Sequence, residues 1–435
     1  MLMQHLFSDF CEEPQSEQAP IQRLATKILL ASTAPTRKDE EWRQTPFKLN
    51  NLSFGTEKTP TKAAFIDDED KKKYSGENDN YCLYFVNGTF MHGCSTDMAI
   101  LAKKGIHIAQ SMPPQTSTKI LGELEKFFRC QPMAALSLAK SLTPLHITVS
   151  KKIDKPLAIV HLTNMNGKAG IYQYGNSFID LNIKSEASLT LLENISTASN
   201  IKNTPQYMVY NNFTNIYLEK GACLQHLTLD DSDDDTLSLV HYHITQEKNS
   251  RHEAGHVMNA GELGRKDVHV KLLDKGASAN LQALMLPRDK QHFHLSTNIE
   301  HISPHCSSQQ LVKAIASHQA KAVYQGKIHI HRYANDTIAH QQMRALLMDE
   351  KAMISAKPEL EIYANKVECA HGVAIGDLDH EQIFYLQSRG IDKKTATALL
   401  LRAYIAEVVE KWHISPMWEK IMLASVSRQM DAMEI

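Results

Sequence analysis

Glu219-Lys220-Gly221-Ala222-Cys223-Leu224 and Asp274-Lys275-Gly276-Ala277-Ser278-Ala279 share one pattern: an acid and a lysine, then Gly-Ala, then a return to alternating residues. Glu186-Ala187-Ser188-Leu189 and Glu350-Lys351-Ala352-Met353-Ile354 are looser copies. Each lies between an outgoing strand pattern and a returning one. Glycine supplies the unusual dihedral of a tight corner, and alanine fits a narrow interior beside it. The flanking stretches alternate as strands do: His146 to Val149, Leu157 to Leu162, Ser188 to Leu192, Asn215 to Leu218, Val268 to Leu272 and Lys327 to Ile330. No long helix pattern separates them, which argues against a doubly wound sheet. They suit stacked coils, in which each rung buries its inward residues against the next. A two-sheet sandwich gives similar local patterns, so periodicity alone leaves that choice open.

Outward from this region both ends read as largely helical. Pro20 to Ala31 places Ile21, Leu24, Ile28 and Leu29 at helical spacing, with Pro35 beyond. Thr56 to Asn80, rich in Lys, Asp and Glu, reads as an exposed loop or linker. Tyr81 to Phe90 reads as strand, turn, strand around Asn87-Gly88, and Leu121 to Ala139 as one helix ending near Pro144. After the strands, Asp379 with Gln382 makes a capping box, Gly390 follows as a C′ residue, and Asp392 caps a second helix. That helix carries Ala396, Leu399, Leu400, Ala403, Val408 and Trp412, with Pro416 past its end. A third amphipathic stretch runs from Trp418 to about Met433. The expected division is 1–144, a mixed helical region with a hairpin; 145–368, the strand core; and 369–435, a helical region. Helices with only one another to pack on would leave apolar surface for a partner.

Composition narrows the function. The chain has 435 residues, 43% hydrophobic and 22% charged, with a formal net charge of -2. That balance gives no electrostatic reason to expect nucleic acid or an anionic membrane. No run approaches the roughly 18 apolar residues of a spanning helix, and Met1 to Pro14 lacks the basic start of a signal peptide. The cysteines Cys11, Cys82, Cys94, Cys130, Cys223, Cys306 and Cys369 show no C-x-x-C spacing. Dispersed thiols of this kind fit a reducing, cytoplasmic setting. There is no Gly-x-x-x-x-Gly-Lys-Ser/Thr, Gly-x-Ser-x-Gly or His-Glu-x-x-His, so neither a nucleotide on this chain nor a self-contained catalytic centre is expected. The acidic cluster Asp230, Asp231, Asp233, Asp234 and Asp235 lacks EF-hand spacing and reads as a solvated loop. The pairs His241/His243, His292/His294 and His329/His331 read as imidazoles on an outer strand face.

One short segment carries metal chemistry. In Cys369-Ala370-His371-Gly372, an extended backbone turns Cys369 and His371 to one face. Thiolate and imidazole suit iron–sulfur, zinc and copper.

The surrounding run extends from Pro358-Glu359-Leu360-Glu361-Ile362 through Val367-Glu368-Cys369-Ala370-His371-Gly372 to Phe384-Tyr385-Leu386-Gln387-Ser388-Arg389-Gly390-Ile391. It resembles the C-terminal signature of the SufB/SufD family of iron–sulfur cluster assembly scaffolds. Asp39-Glu40-Glu41-Trp42-Arg43, Phe85-Val86-Asn87-Gly88 and Val323-Tyr324-Gln325-Gly326-Lys327-Ile328 extend the resemblance over nearly the whole chain. The Cys-x-His-Gly form and the length look like the SufD branch, with Ala370 standing where serine is expected and His294 where the family often has aspartate. The resemblance implies a mainly β protein: a right-handed parallel β-helix core flanked by N-terminal and C-terminal α-helical regions. It further implies a cytoplasmic scaffold of the SUF complex and not an enzyme. Such a subunit pairs with a SufB-like paralogue, docks the SufC-like ABC ATPase, and shares a nascent iron–sulfur cluster transiently with SufB. His371 would be the first ligand and Cys369 a second donor, and in isolation the pairing edge would favour a homodimer. Two readings from other classes stand beside it. A β-helix carbohydrate-active enzyme would use the acidic loop around Asp233, and a histidine-rich metal-binding protein would use the paired imidazoles.

Overall fold

At the two Gly-Ala corners the backbone is left-handed, with φ of 69° at Gly221 and 75° at Gly276. These values come from a computed structural model that describes residues 20–33, 35–45, 66–75, 79–110, 118–163, 173–198, 208–409, 412 and 416–433. A Cβ at Gly221 would fall 2.3 Å from the Glu186 carboxylate, the corner one coil earlier. Ala187, Ala222 and Ala277 follow their corners inward and are fully buried. Glycine is one solution among several, because Glu186, Asn249, His305, His318 and Asp336 take the same left-handed turn at other corners. The Gly-Ala signature therefore reveals only some of the coils.

The strands between corners are about twice as long as the strongest sequence patterns, as in Met208–Leu218, Leu263–Leu272 and Lys321–Ile330. Beyond the N-terminal strands, consecutive strands alternate between two parallel sheets, one of ten strands and one of nine. Each strand pairs with the strand one coil away in strict register, for example Leu224 with His252, His252 with Ala279 and Ala279 with Ser308. This is a parallel β-helix, and the parallel pairing excludes the antiparallel sandwich that periodicity had left open. The hairpin at Asn87-Gly88 pairs Phe85 with Phe90 and Val86 with Thr89 at the start of the ten-stranded sheet.

Between the sheets lies an apolar core of inward residues such as Leu191, Ile216, Val270 and Phe293. Helices cover both outer faces. Pro20–Leu30, Thr118–Cys130 and Pro132–Lys140 lie on the nine-stranded sheet, where Phe127, Phe128 and Met133 meet Phe213 and Leu239. Lys393–Val409 and Pro416–Ala432 lie on the ten-stranded sheet, where Leu401, Ile405 and Met422 belong to the same apolar cluster as Leu227, Leu284 and Leu311. Gly255 leaves the room that the Trp412 ring occupies, since a Cβ there would lie 2.6 Å from it.

Four expectations change. The 121–139 helix is two helices, broken at Gln131 because Pro132 has no N–H to continue the first and restricts the residue before it. Within the expected 56–80 linker, 56–65 and 76–78 lie outside the described residues, but Asp68–Ser75 is a helix whose buried Tyr74 lies 6.1 Å from the Trp418 ring. The last two helices pack on the sheet and not merely on one another. Finally, Val367–Gly376 is a strand that runs through the expected 368/369 boundary, so Cys369 and His371 belong to the β-helix and not to the helical region.

One buried staple ties the Asp39–Arg43 motif to the barrel wall. The Arg265 guanidinium bonds Asp267 twice at 2.9 and 2.7 Å, donates to the Glu41 carbonyl and Thr45 Oγ1, and sits 3.9 Å over the Trp42 ring. Burial alone would raise the Asp267 carboxyl, but Arg265 and His241 outweigh it and hold the group well below the usual carboxylate range. Removing one partner of a buried ion pair strands the other. Arg265→Met is therefore expected to cost about 3–5 kcal/mol in urea unfolding and to make the 20–45 segment protease-sensitive, whereas exposed Arg402→Met should leave both unchanged.

Candidate functional site

A coil in a β-helix is covered on both sides except at the ends. Val367–Gly376 is the outermost strand of the ten-stranded sheet and Met353–Ile362 the outermost of the nine-stranded sheet. Their inward side chains continue buried columns with nothing stacked above among the described residues. Met343 is 0% exposed but Val373, its neighbour in register, is 42% exposed; Ile330 is 0% exposed and Ile362 is 41%. Among the described residues both strands present an unpaired backbone edge, and Pro358 within one of them suits an edge position.

Cys369 and His371 lie on this last rung. Cys369 pairs in register with Ala339 and His371 with Gln341, both buried inward residues. Cys369 is half-buried and packs on the apolar cluster of Ile328, Ile330 and Ala339, while His371 is exposed at the open end. The pair thus shares the inward face, as the i, i+2 spacing predicts, and reaches solvent only because the coil is the last. Burial pushes the Cys369 thiol up, helped by Glu368 and opposed by a backbone hydrogen bond from Ala339. Among the described residues no group of three or more His, Cys, Asp or Glu side chains could hold a metal ion. Cys369 and His371 alone do not make a closed metal site.

Deeper in the lumen lies a polar cluster that the alternation pattern did not reveal. His226 Nε2 is 2.6 Å from Glu193, Tyr242 donates to the same carboxylate at 2.7 Å, and His161 Nε2 lies 3.9 Å from its other oxygen. Thr228 bonds His256 at 2.8 Å and accepts from Lys266 at 2.5 Å. All are inward and buried. Burial would raise the Glu193 carboxyl, yet the bonded His226 and the nearby His161 imidazole hold it well below the usual range. Burial lowers Lys266 to about 8 against the pull of Asp230 and Glu193, and lowers His252 to about 3. The signal was present as polar residues at inward positions of apolar strands, but which face points inward is set only by the coil.

The remaining sequence candidates have structural partners. His241, His243, His292 and His294 do face outward, yet they are buried beneath the N-terminal region; His294 Nδ1 lies 2.6 Å from Thr45 Oγ1. His329 and His331 each meet a carboxylate, Glu361 at 2.8 Å and Glu300 at 3.2 Å. The acidic cluster is more than a solvated loop. Asp231 takes two 2.7 Å bonds from Arg428, and Asp234 is bound by Arg288 and Gln291, so this loop clamps the last helix to the coil. A separate surface exists on His380–Ser388, where Phe384 and Tyr385 are 72% and 57% exposed.

Comparison with known proteins resolves the lineage. The profile of the SUF system FeS cluster assembly SufBD core domain matches residues 165–404, more than half the chain. The chain belongs to the SufBD family. Its similarity extends beyond that core. It is 27% identical to the iron-sulfur cluster assembly protein SufD of Escherichia coli (strain K12) over 413 residues, covering 93% of this chain and 91% of the relative. It is 26% identical to the chloroplastic protein ABCI7 of Arabidopsis thaliana, covering 91% and 84%, and 25% identical to a SufBD family protein of Synechocystis, covering 89% and 86%. Within the SufBD family the chain is SufD-like.

Burial of several histidines is expected to make the fold acid-sensitive. His252 binds its proton near 6.5 when unfolded but only near 3 when folded, so the unfolded state gains protons first and stability falls as pH drops below 6.5. Between pH 7 and pH 5 the loss from His252 alone is about 2 kcal/mol. Thermal unfolding should show a lower midpoint at pH 5, and His252→Leu should shrink that drop while the other buried histidines keep part of it.

Proposed function

We propose that this chain is a SufD-like scaffold subunit of the SUF iron–sulfur assembly complex. In this reading a SufB-like paralogue stacks on the open end of the β-helix, and a nascent cluster is assembled at the seam between them. The observation that carries the proposal is the last coil, uncapped among the described residues, whose inward face holds Cys369 and His371 between two sheet edges that no described strand pairs. A second β-helix set against this end would extend both sheets and cover Val373, Ile375, Met353 and Ile362. Edge-to-edge pairing of this kind draws affinity from backbone hydrogen bonds and specificity from the alternating side chains.

Iron and sulfide are cargo in this scheme. His371 offers an imidazole nitrogen that complements thiolate ligands, and Cys369 a thiol whose burial favours the protonated form until metal displaces the proton. Two donors leave coordination positions for the paralogue, which makes assembly conditional on pairing. The ATPase, SufC-like, docks on the C-terminal helices, with the exposed Phe384 and Tyr385 as its anchor. Its nucleotide cycle shifts the population between closed and open seams. The chain itself turns nothing over, lies in the cytoplasm, and binds neither nucleotide nor nucleic acid. When the paralogue is absent, a second copy covers the same end.

Three measurements test this reading. Val373→Asp with Ile375→Asp places charge on the uncovered rung and should abolish co-purification with the SufB-like partner while retaining the ATPase. Phe384→Ala with Tyr385→Ala should do the reverse, as aromatic anchors commonly carry about 2 kcal/mol or more each. His371→Ala should cut cluster yield in the reconstituted complex at least about tenfold; normal yield would remove His371 from the mechanism.

A further inference from the structure

Directly below His371 in the ladder is Gln341, and below that Gln310. Both point into the lumen and are buried. Gln341 reaches across the coil, where its Nε2 donates to the Gly326 carbonyl on the opposite sheet at 3.0 Å. Residue 326 must be glycine for this, since a Cβ there would lie 1.9 Å from that nitrogen. The bond fixes which way the amide faces, because only its N–H end can serve a carbonyl. Tyr324, beside it, donates to Gln310 Oε1 at 3.2 Å.

Gln341 Oε1 is then a buried acceptor with no hydrogen-bond partner among the described residues. Buried carbonyl oxygens in folded proteins are seldom left unmet. Gln310 Nε2, on the rung below, is also unmet. An amide oxygen has two lone pairs, so a bond from Gln310 leaves one for a donor above. The rung above is His371, roughly 4.8 Å away along the ladder and on the same face.

We propose that Gln341 is the positioning residue for His371: its Oε1 accepts the imidazole Nδ1–H and so turns the Nε2 lone pair outward from the open end. Histidines that bind metal are commonly held this way through the other ring nitrogen. A neutral amide selects the tautomer without adding charge behind the ligand, as a carboxylate would. Gly326, Gln341 and His371 then form one line from the far sheet to the seam. The inference rests on His371 acting as a ligand at that seam.

The test uses the full-length chain with 15N-labelled histidine. Long-range proton–nitrogen correlation at about pH 8, where an ordinary imidazole is neutral, reads the tautomer of each ring; the His371 signal is the one missing in His371→Gln. The expected result is an Nδ1–H tautomer in the native chain and a shift to Nε2–H in Gln341→Leu, which removes the acceptor. In the co-purified complex, Gln341→Leu should lower the rate of cluster formation about tenfold. An Nε2–H tautomer in the native chain, or a tautomer unchanged by Gln341→Leu, overturns the proposal. The two claims fail separately. Normal cluster yield in His371→Ala sinks the ligand reading whatever the tautomer, while lost yield there with an unmoved tautomer in Gln341→Leu sinks only the positioning role.

Discussion

Every inward side chain of this protein is core only because another coil lies on top of it. The in-register parallel ladder carries Leu191, His226, Ala254, Leu281, Gln310, Gln341 and His371 in one column along the ten-stranded sheet. Burial is therefore a property of position in the stack and not of residue type. At the first coils the hairpin and the short antiparallel strand Ile106–Ala109 help close the end. At the last coil nothing among the described residues does, and the same column that buries Gln341 exposes His371. Exposing a side chain there needs no special pocket; it needs the stack to stop.

The outer layers serve the stack in different ways. The N-terminal helices cover one sheet through apolar packing and one desolvated ion-pair network around Arg265, whose guanidinium ties Trp42, Thr45 and Asp267 together. The C-terminal helices cover the other through Leu401, Met422 and their neighbours, with Arg428 and Asp231 locking the last helix in place. Both coverings leave the terminal rung open. The helix His380–Ser388 follows that rung directly, so a force applied at Phe384 or Tyr385 has a short covalent path to His371. Bistable packing, not continuous deformation, is the usual means by which such a force is transmitted.

The lumen divides into two chemical regimes. Around Glu193 it holds charges and imidazoles deep in the barrel, where burial disfavours every ion and the opposed charges must offset it together. Toward the open end the polar groups are neutral: Thr297, Tyr324, Gln310 and Gln341. In the proposed reading, that neutral lining leaves no fixed charge directly beneath His371.

Sequence alone determined the corners at Gly221 and Gly276, the hairpin at Asn87-Gly88, the caps at Asp379 and Asp392, and the shared face of Cys369 and His371. Each depends on local dihedral preference or on the two-residue period of a strand, which neighbours in the chain are sufficient to set. The broken helix at Pro132 was legible too, but the apolar run through it suggested continuity. Only the tertiary structure decided that strands pair in parallel, that polar Glu193 and Gln341 face the lumen, that the acidic loop binds Arg428 and Arg288, and that the rung bearing His371 is the last. Those facts depend on which coil lies above which, a relation between residues roughly one coil apart that no local pattern encodes.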